Sequence, residues 1–366
     1  MAKKNVNLRV EKGRAEVIEV PMPIARGKGF VVVETAYAGI CTEQKCYDLG
    51  YYEDHEGPVH LGHEGCGTIV EVGPGVCDYE AGDRVIMHIG WACGHCFVCE
   101  HGLASTNCDN LKVARDMEEF NDCEPGSGGG GFNRFRLVHV NNLQKIPVSL
   151  DFRYARAANC LLGSTYSIVR DFDVGPHTYA LVAGVGFIGH AVIANLKHRG
   201  ATVIGLGRNR ARLEIAKKVG MDHIVNPDDP DWLQQIKALT PDGRGVDISY
   251  ECSGHPDYQR KSLDAIRKFG QMIVMGYQID KDWTFDIHVH DDILVNARSI
   301  AGMEDLQIRH RAELLELLQN PSMQERLDDM IAGEVSIYDA EVVFKKILTK
   351  QYGKFFFHFN DVDQRA

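Results

Sequence analysis

The chain has 366 residues, 44% of them hydrophobic and 25% charged, with a formal net charge of −11. That length exceeds what one core ordinarily holds, so two domains are expected, and no stretch reaches the roughly 20 apolar residues that span a bilayer. The acidic balance, with lysines and arginines scattered among acids, argues against nucleic acid as a partner and leaves small-molecule chemistry.

The N-terminal MAKKNVNLRVEKGR carries charge with no apolar run behind it, so it lacks the core of a secretory signal, and a cytoplasmic location is expected. Through about residue 150, β-branched runs such as FVVVETAY, GTIVEV and DRVIMHI alternate with Gly and Pro clusters, which predicts an irregular, mainly-β domain. Within it EPGSGGGGF, residues 124 to 132, has the composition of a flexible loop. From about His177 to Gly276, the strand-like YALVAG, ATVIGLG, HIVN, VDISYECSG and QMIVMG alternate with helical stretches. That is the rhythm of βαβ units around a parallel sheet, an α/β doubly wound domain over residues 151–295. Beyond it, RHRAELLELLQ has apolar positions at helical spacing and YGKFFFHF reads as a closing strand. Residues 296–366 are expected to rejoin residues 1–150.

Eleven cysteines in a chain without an export signal point to metal or redox roles rather than a disulfide framework. Cys93, Cys96, Cys99 and Cys108 form C-x2-C-x2-C-x8-C. Thiolates so closely spaced can surround one tetrahedral zinc ion and leave no open position, which makes the site structural; an iron–sulfur cluster would use the same donors. His95 and His101 lie inside this lobe and are expected at its surface. A second set is less local. His63 and Glu64 stand between glycines in GHEGCGTIVEVG, residues 62 to 73, where a Gly-His-Glu alone is weak evidence. Cys41 in AGICTEQ and Cys160 in AANCLLGSTY would complete a Cys2His set with a fourth position open, an arrangement used by catalytic zinc. Spacing by itself does not join three separate segments.

Gly184-Val185-Gly186-Phe187-Ile188-Gly189 lies between the strand YALVA and the helix IGHAVIANLKHRG. In that context G-x-G-x-x-G marks a dinucleotide site, with the pyrophosphate at the positive end of the helix. At the end of the next strand, where a carboxylate would accept the ribose hydroxyls of NAD, the chain has Gly207, then Arg208, with Arg210 and Arg212 close behind. Guanidinium groups there suit a 2′-phosphate, so NADP(H) is expected over NAD(H), while Arg210 can belong to a solvated helix start. Asp222 and Asp228 lie too far along to replace the missing acid.

GHEGCGTIVEVG, Gly82-Asp83-Arg84-Val85, the four-cysteine lobe and GGFNRFRLVHVNNLQKIP together resemble the zinc-containing medium-chain alcohol and polyol dehydrogenases, in the family's order and over nearly the whole chain. The resemblance implies a GroES-like catalytic domain from residues 1–150 and 296–366, and a Rossmann domain between them. It implies hydride transfer between a nicotinamide dinucleotide and the CH–OH or C=O carbon of a small alcohol, polyol, sugar or cyclitol, by a homodimer or homotetramer. Cys41, His63 and Cys160 take the positions of catalytic-zinc ligands, although some relatives have Glu in the third. Glu64 takes that of a neighbouring carboxylate, which binds the metal transiently or orients its surroundings.

Two departures stand out. The family reads Cys-Gly-Thr-Asp or Cys-x-Ser-Asp where this chain has Cys41-Thr42-Glu43-Gln44, so Glu43 replaces the hydroxyl that relays the substrate proton. Glu43 then passes the proton or binds another substrate hydroxyl, with Thr42 as the rival. The spacer before Cys108 is also eight residues rather than seven. Tyr51, Tyr52, His55 and Glu56 would give a pocket wall polar enough for a polyol. Cys46, Cys66, Cys77, Cys123 and Cys252 read as packing residues. Two other readings stay open: an NAD-dependent alcohol dehydrogenase, and a non-catalytic nucleotide-binding relative.

Overall fold

Alternation of β-branched and small residues builds the first half of the chain into strands, and their pairing sets up the site. In the computed structural model, residues 3–11, 14–41, 59–111, 131–277, 280, 282–303 and 305–364 are described. The chain opens with β1 (Asn5–Glu11), β2 (Arg14–Val20), β3 (Phe30–Gly39), β4 (Val59–His60), β5 (Gly65–Val72), β6 (Arg84–Met87), β7 (Phe135–His139) and β8 (Leu143–Lys145). β2, β1 and β4 form a small antiparallel sheet. β3 is flanked by β5 and β7, and pairing continues from β5 through β6 to β8. Val31, Val32 and Val33 in the middle of β3 are all buried, which is why FVVV reads as a continuous apolar run rather than an alternating one.

The second half is a parallel sheet. Its strands β9 (Tyr179–Ala183), β10 (Thr202–Leu206), β11 (His223–Val225), β12 (Val246–Glu251), β13 (Ile266–Val274) and β14 (Ser299–Gly302) lie in the order β11-β10-β9-β12-β13-β14, every neighbouring pair parallel. The order reverses between β9 and β12, and ligands of such sheets bind outside the carboxyl ends of the strands at that point. α1 (Gly163–Arg170), α2 (Phe187–His198) and α3 (Arg210–Val219) cover one face, while α4 (Trp232–Ala238) and α5 (Pro256–Ala265) pack on the other. Asn209 caps α3 by accepting the Arg212 amide at 3.1 Å, and Gly220 ends it in the left-handed conformation at φ 118°.

The return to the first domain falls later than residue 296. β14 adds to the parallel sheet beside β13, and α6 (Arg311–Leu317) and α7 (Pro321–Met330) pack on α1, α2 and α3. Only with β15 (Ile331–Ser336) does the chain cross back; after α8 (Ala340–Leu348), β16 (Lys354–His358) pairs with β15 on one side and β3 on the other. The apolar stripe of RHRAELLELLQ records that a helix face is buried, not which sheet buries it. Flanked on both sides, β16 buries Phe355, Phe356 and Phe357 on both of its faces. One apolar cluster runs from Cys66, Ile86 and Phe356 through Leu161 and Leu162 to Val182 and Ile193, so the domains share a core around the start of α1. No helix among the described residues is long and apolar enough to cross a membrane.

Candidate active site

Three segments meet at the inner end of β3. Cys41 follows β3 directly, its neighbour Ile40 tied by its amide to the Phe355 carbonyl at 3.2 Å. His63 and Glu64 precede β5 after a turn at Gly62 (φ 94°), where an added Cβ would come within 2.5 Å of the Phe132 amide nitrogen. Only glycine passes so close. Cys160 sits just ahead of α1, and its loop is anchored where Asn159 Nδ2 donates to the Gly65 carbonyl at 3.2 Å. The donor atoms of Cys41, His63, Glu64 and Cys160 all lie within 4.8 Å of one another. His63 Nε2 is 3.2 Å from Cys160 Sγ and 3.9 Å from Glu64 Oε1. Soft sulfur and nitrogen donors converging in a buried pocket, with His63 still 32% exposed toward the cleft, fit a zinc ion with one open position.

Of the two thiols one carries the charge: the hydrogen bond to Cys41, together with burial, holds the Cys160 thiol well above its ordinary range. A hydrogen bond from Cys160 holds the Cys41 thiol well below its ordinary range, helped by Lys354 and His63 against the opposing effect of burial. Thiolate is the form that ligates metal. Glu64 is fully buried and ion-paired with Lys354, the equally buried first residue of β16. Burial pushes the Glu64 carboxyl up to about 7, with Lys354 pulling the other way. Burial also works against the Lys354 ammonium, yet Glu64, Cys41 and Cys160 together hold it above the usual lysine range. Among the described residues Glu64 Oε2 has no hydrogen-bond partner, so one carboxylate oxygen is left over beside the ligand set.

The cysteine lobe is a separate cluster. Sγ separations are 3.9 Å for Cys93–Cys99, 3.8 Å for Cys96–Cys108 and 3.9 Å for Cys99–Cys108. Sulfurs on a tetrahedral zinc with Zn–S of about 2.3 Å stand roughly 3.8 Å apart, whereas disulfide sulfurs stand about 2.0 Å apart. The lobe thus has the dimensions of a closed tetrathiolate site. Asn110 Nδ2 donates to Cys93 Sγ at 3.2 Å. The rings of His95 and His101 are exposed and bonded to the backbone carbonyls of Cys93 and Phe97. The lobe docks on the chain after β14 through an Ala104–Gln307 bridge, the Arg309 amide on the Gly102 carbonyl at 2.9 Å, and Arg311 Nη2 on Ser105 Oγ at 3.1 Å.

At the tip of β9, Gly184 takes φ 93° and packs on Ser253, Gly186 stands at the N-cap of α2, and Gly189 closes on Gly184. A Cβ on Gly189 would come within 2.4 Å of the Gly184 carbonyl oxygen. Helix and turn therefore approach as a dinucleotide turn requires. Beyond β10, Gly207 is buried and Arg208 is exposed, its Nη1 within 3.0 Å and 3.1 Å of the Asp228 carboxylate. Asp228, which lies too far along the chain to take the place of the missing acid, instead pairs with Arg208. Arg212 differs: it is half-buried, desolvation lowers its pKa, and no carboxylate among the described residues pairs with it.

Both sets open into one cleft of about 930 Å³, lined by Cys41, His63 and Cys160 on one side and by the Gly184–Ile188 turn, Gly207, Arg208 and Arg212 on the other. Residues 27–148 match the family described as "Alcohol dehydrogenase GroES-like domain" and residues 188–320 that described as "Zinc-binding dehydrogenase". A sorbitol dehydrogenase of Halalkalibacterium halodurans is 31% identical over 78% of this chain and 81% of its own. An L-threonine 3-dehydrogenase of Pyrococcus horikoshii is 30% identical over 94% of each. The chain belongs to the zinc-containing medium-chain dehydrogenases. The benzyl alcohol dehydrogenase of Acinetobacter calcoaceticus, 22% identical, superposes on this dehydrogenase with a TM-score of 0.81 over 98% of this chain and all of that one, a likeness of fold.

Thr42, Glu43, Gln44, Tyr51, Tyr52, His55 and Glu56 of this dehydrogenase lie outside the described residues, as do Cys46, Cys123 and most of the glycine-rich segment. Of the cysteines read as packing, Cys66 is buried, Cys77 is exposed and Cys252 lines the cleft. Sequence reasoning missed Lys354, Ser164 and Asp305. A lysine opening a run of buried phenylalanines was the one available signal for Lys354; nothing local marks the other two.

Proposed function

We propose that this dehydrogenase is zinc-dependent, uses NADP(H) in preference to NAD(H), and oxidises or reduces a small polyol, sugar or cyclitol. The observation that carries the reading is the single cleft shared by the Cys41, His63 and Cys160 donors and the glycine-rich turn. Cys41, His63 and Cys160 would hold the catalytic zinc, with Glu64 beside them, and Cys93, Cys96, Cys99 and Cys108 the structural one. When bound, the zinc polarises the substrate oxygen as a Lewis acid and the nicotinamide carries the hydride. Gly184, Gly186, Phe187, Ile188 and Gly189 cradle the pyrophosphate at the amide end of α2. Gly207 puts no carboxylate at the end of β10, where the ribose hydroxyls of NAD would find one. Arg212, desolvated and without a carboxylate partner among the described residues, offers the 2′-phosphate a cation, while Arg208 must share itself with Asp228.

For the substrate proton, Glu43 is the proposed relay and Thr42 its rival. Glu43→Gln should depress turnover with zinc content full; undiminished turnover would remove Glu43 from the path. A homodimer or homotetramer is supported by β14, which ends the parallel sheet, and by Val289, Leu294 and Val295 nearby, 69%, 70% and 56% exposed; light scattering on the eluting protein tests it. The deciding experiment for the whole reading titrates NADPH and NADH by fluorescence and determines zinc on the same sample. Tighter NADPH, two zincs per chain and turnover of polyols or sugars are expected. Tighter NADH would overturn the cofactor assignment, and one zinc or none the ligand sets.

A further inference from the structure

The cleft holds a carboxylate for which the chemistry above has no use. Asp305 follows β14 and is 6% exposed; Ser164, 5% exposed, stands in the first turn of α1, four residues after Cys160. Both line the cleft beside Cys41, His63 and Cys160. Ser164 Oγ donates to Asp305 Oδ1 at 2.9 Å, and the Leu306 amide donates to the same oxygen at 2.7 Å. Among the described residues Oδ2 receives no hydrogen bond, and no Lys or Arg forms an ion pair with Asp305. Two cationic groups act on it electrostatically: His63, which belongs to the metal donor set, and Arg311, which is committed to Ser105 Oγ and the Asn141 carbonyl.

Desolvating a carboxylate is costly unless its oxygens find donors. Here the protein supplies two donors, both to one oxygen, and so fixes the carboxylate while leaving the other oxygen to the cleft. The anchor also fixes where that oxygen stands: Ser164 lies in the first turn of α1, four residues after Cys160, so Asp305 is tied to the segment that carries a metal donor.

We propose that Asp305 is a specificity-determining residue whose free Oδ2 accepts a hydrogen bond from a second hydroxyl of the substrate, adjacent to the reacting carbinol. This rests on the dehydrogenase reading above and narrows its substrate class to alcohols bearing a vicinal hydroxyl. Ser164 is the positioning residue that holds the carboxylate for it. The site selects such alcohols because a plain alcohol would leave a partly desolvated acceptor unsatisfied, a larger penalty than the gain from a well-made bond.

The test uses a matched pair differing by one hydroxyl, propane-1,2-diol and propan-2-ol, with the zinc-loaded wild type, Asp305→Asn and Ser164→Ala. Wild type should favour the diol in kcat/KM by about 10- to 100-fold, the range of a hydrogen bond to a charged group. Asp305→Asn, similar in shape but donating rather than accepting toward the cleft, should collapse that ratio toward parity, mostly through KM for the diol, and Ser164→Ala should lower it by a smaller factor. A ratio that survives Asp305→Asn, or a wild type without preference, overturns the proposal. NADPH and NADH titrations run in parallel: a loss of cofactor affinity in Asp305→Asn equal to its loss with the diol would give the free oxygen to the nicotinamide carboxamide and overturn it too. A wild type that oxidises neither alcohol nor any polyol would sink the dehydrogenase reading, and the inference with it.

Discussion

Replacing Arg212 by Gln isolates the proposed 2′-phosphate contact. The side chain lies at the cleft, with Nη1 3.6 Å from the place a Cβ on Gly186 would occupy, which sets it beside the glycine-rich turn. Its guanidinium has no carboxylate partner among the described residues and is already desolvated, so binding an anion breaks no existing ion pair. A hydrogen bond to a charged group contributes about 1.5–3 kcal/mol, equivalent to roughly 10- to 100-fold in dissociation constant. Arg212→Gln should therefore raise the NADPH dissociation constant by that factor and the NADH constant by little, since NADH lacks the 2′-phosphate. Arg208→Gln should act less than about fivefold, because that side chain is exposed and shared with Asp228. Fluorescence titration at fixed salt reads both. An unchanged NADPH to NADH ratio in Arg212→Gln, or a larger effect at Arg208, would refute the reasoning from burial and partners.

Three other outcomes are expected. His190, buried in α2 with Nε2 2.9 Å from the Arg212 carbonyl, has its pKa lowered by desolvation from 6.5 to about 4. The unfolded chain then takes up a proton that the folded one refuses, so this contribution is intact above pH 6.5 and is lost as the pH falls from 6.5 toward 4, by at most about 1.4 kcal/mol per pH unit. Urea unfolding across that window should be shallower in His190→Gln, and equal slopes would show that the group does not titrate as argued. Lys354→Met leaves Glu64 buried without its cation and should cost about 3–5 kcal/mol, with most of it recovered in the double variant with Glu64→Gln; a single variant as stable as wild type would dismiss the pair. Cys108→Ser should remove one metal per chain and expose the lobe to protease between Trp91 and Leu111, since structural zinc contributes on the order of 10 kcal/mol to small domains. Unaltered metal content would break the tetrathiolate assignment.

What the sequence determined by itself is what short stretches encode. The four cysteines of the lobe span 16 residues and the glycine turn six, so spacing and flanking strand and helix signals are enough to read their chemistry. The alternation of strands and helices from His177 onward likewise announced the parallel sheet, because period and turn residues act locally. The Cys41, His63 and Cys160 set was reached only through the family resemblance, as no spacing links them. The tertiary structure decided the rest. Glu64 meets Lys354 across 290 residues of chain and Ser164 meets Asp305 across 141. The crossing back at Ile331 rather than at residue 296 depends on which sheet received β14 and α6, and the difference between Arg208 and Arg212 on which of them folding desolvated and which it left to Asp228. Such pairings follow from burying faces that are distant in sequence against one another. Local periodicity states that a face is apolar, but only the assembled core selects its partner and strands a carboxylate or a guanidinium at the edge of a cleft.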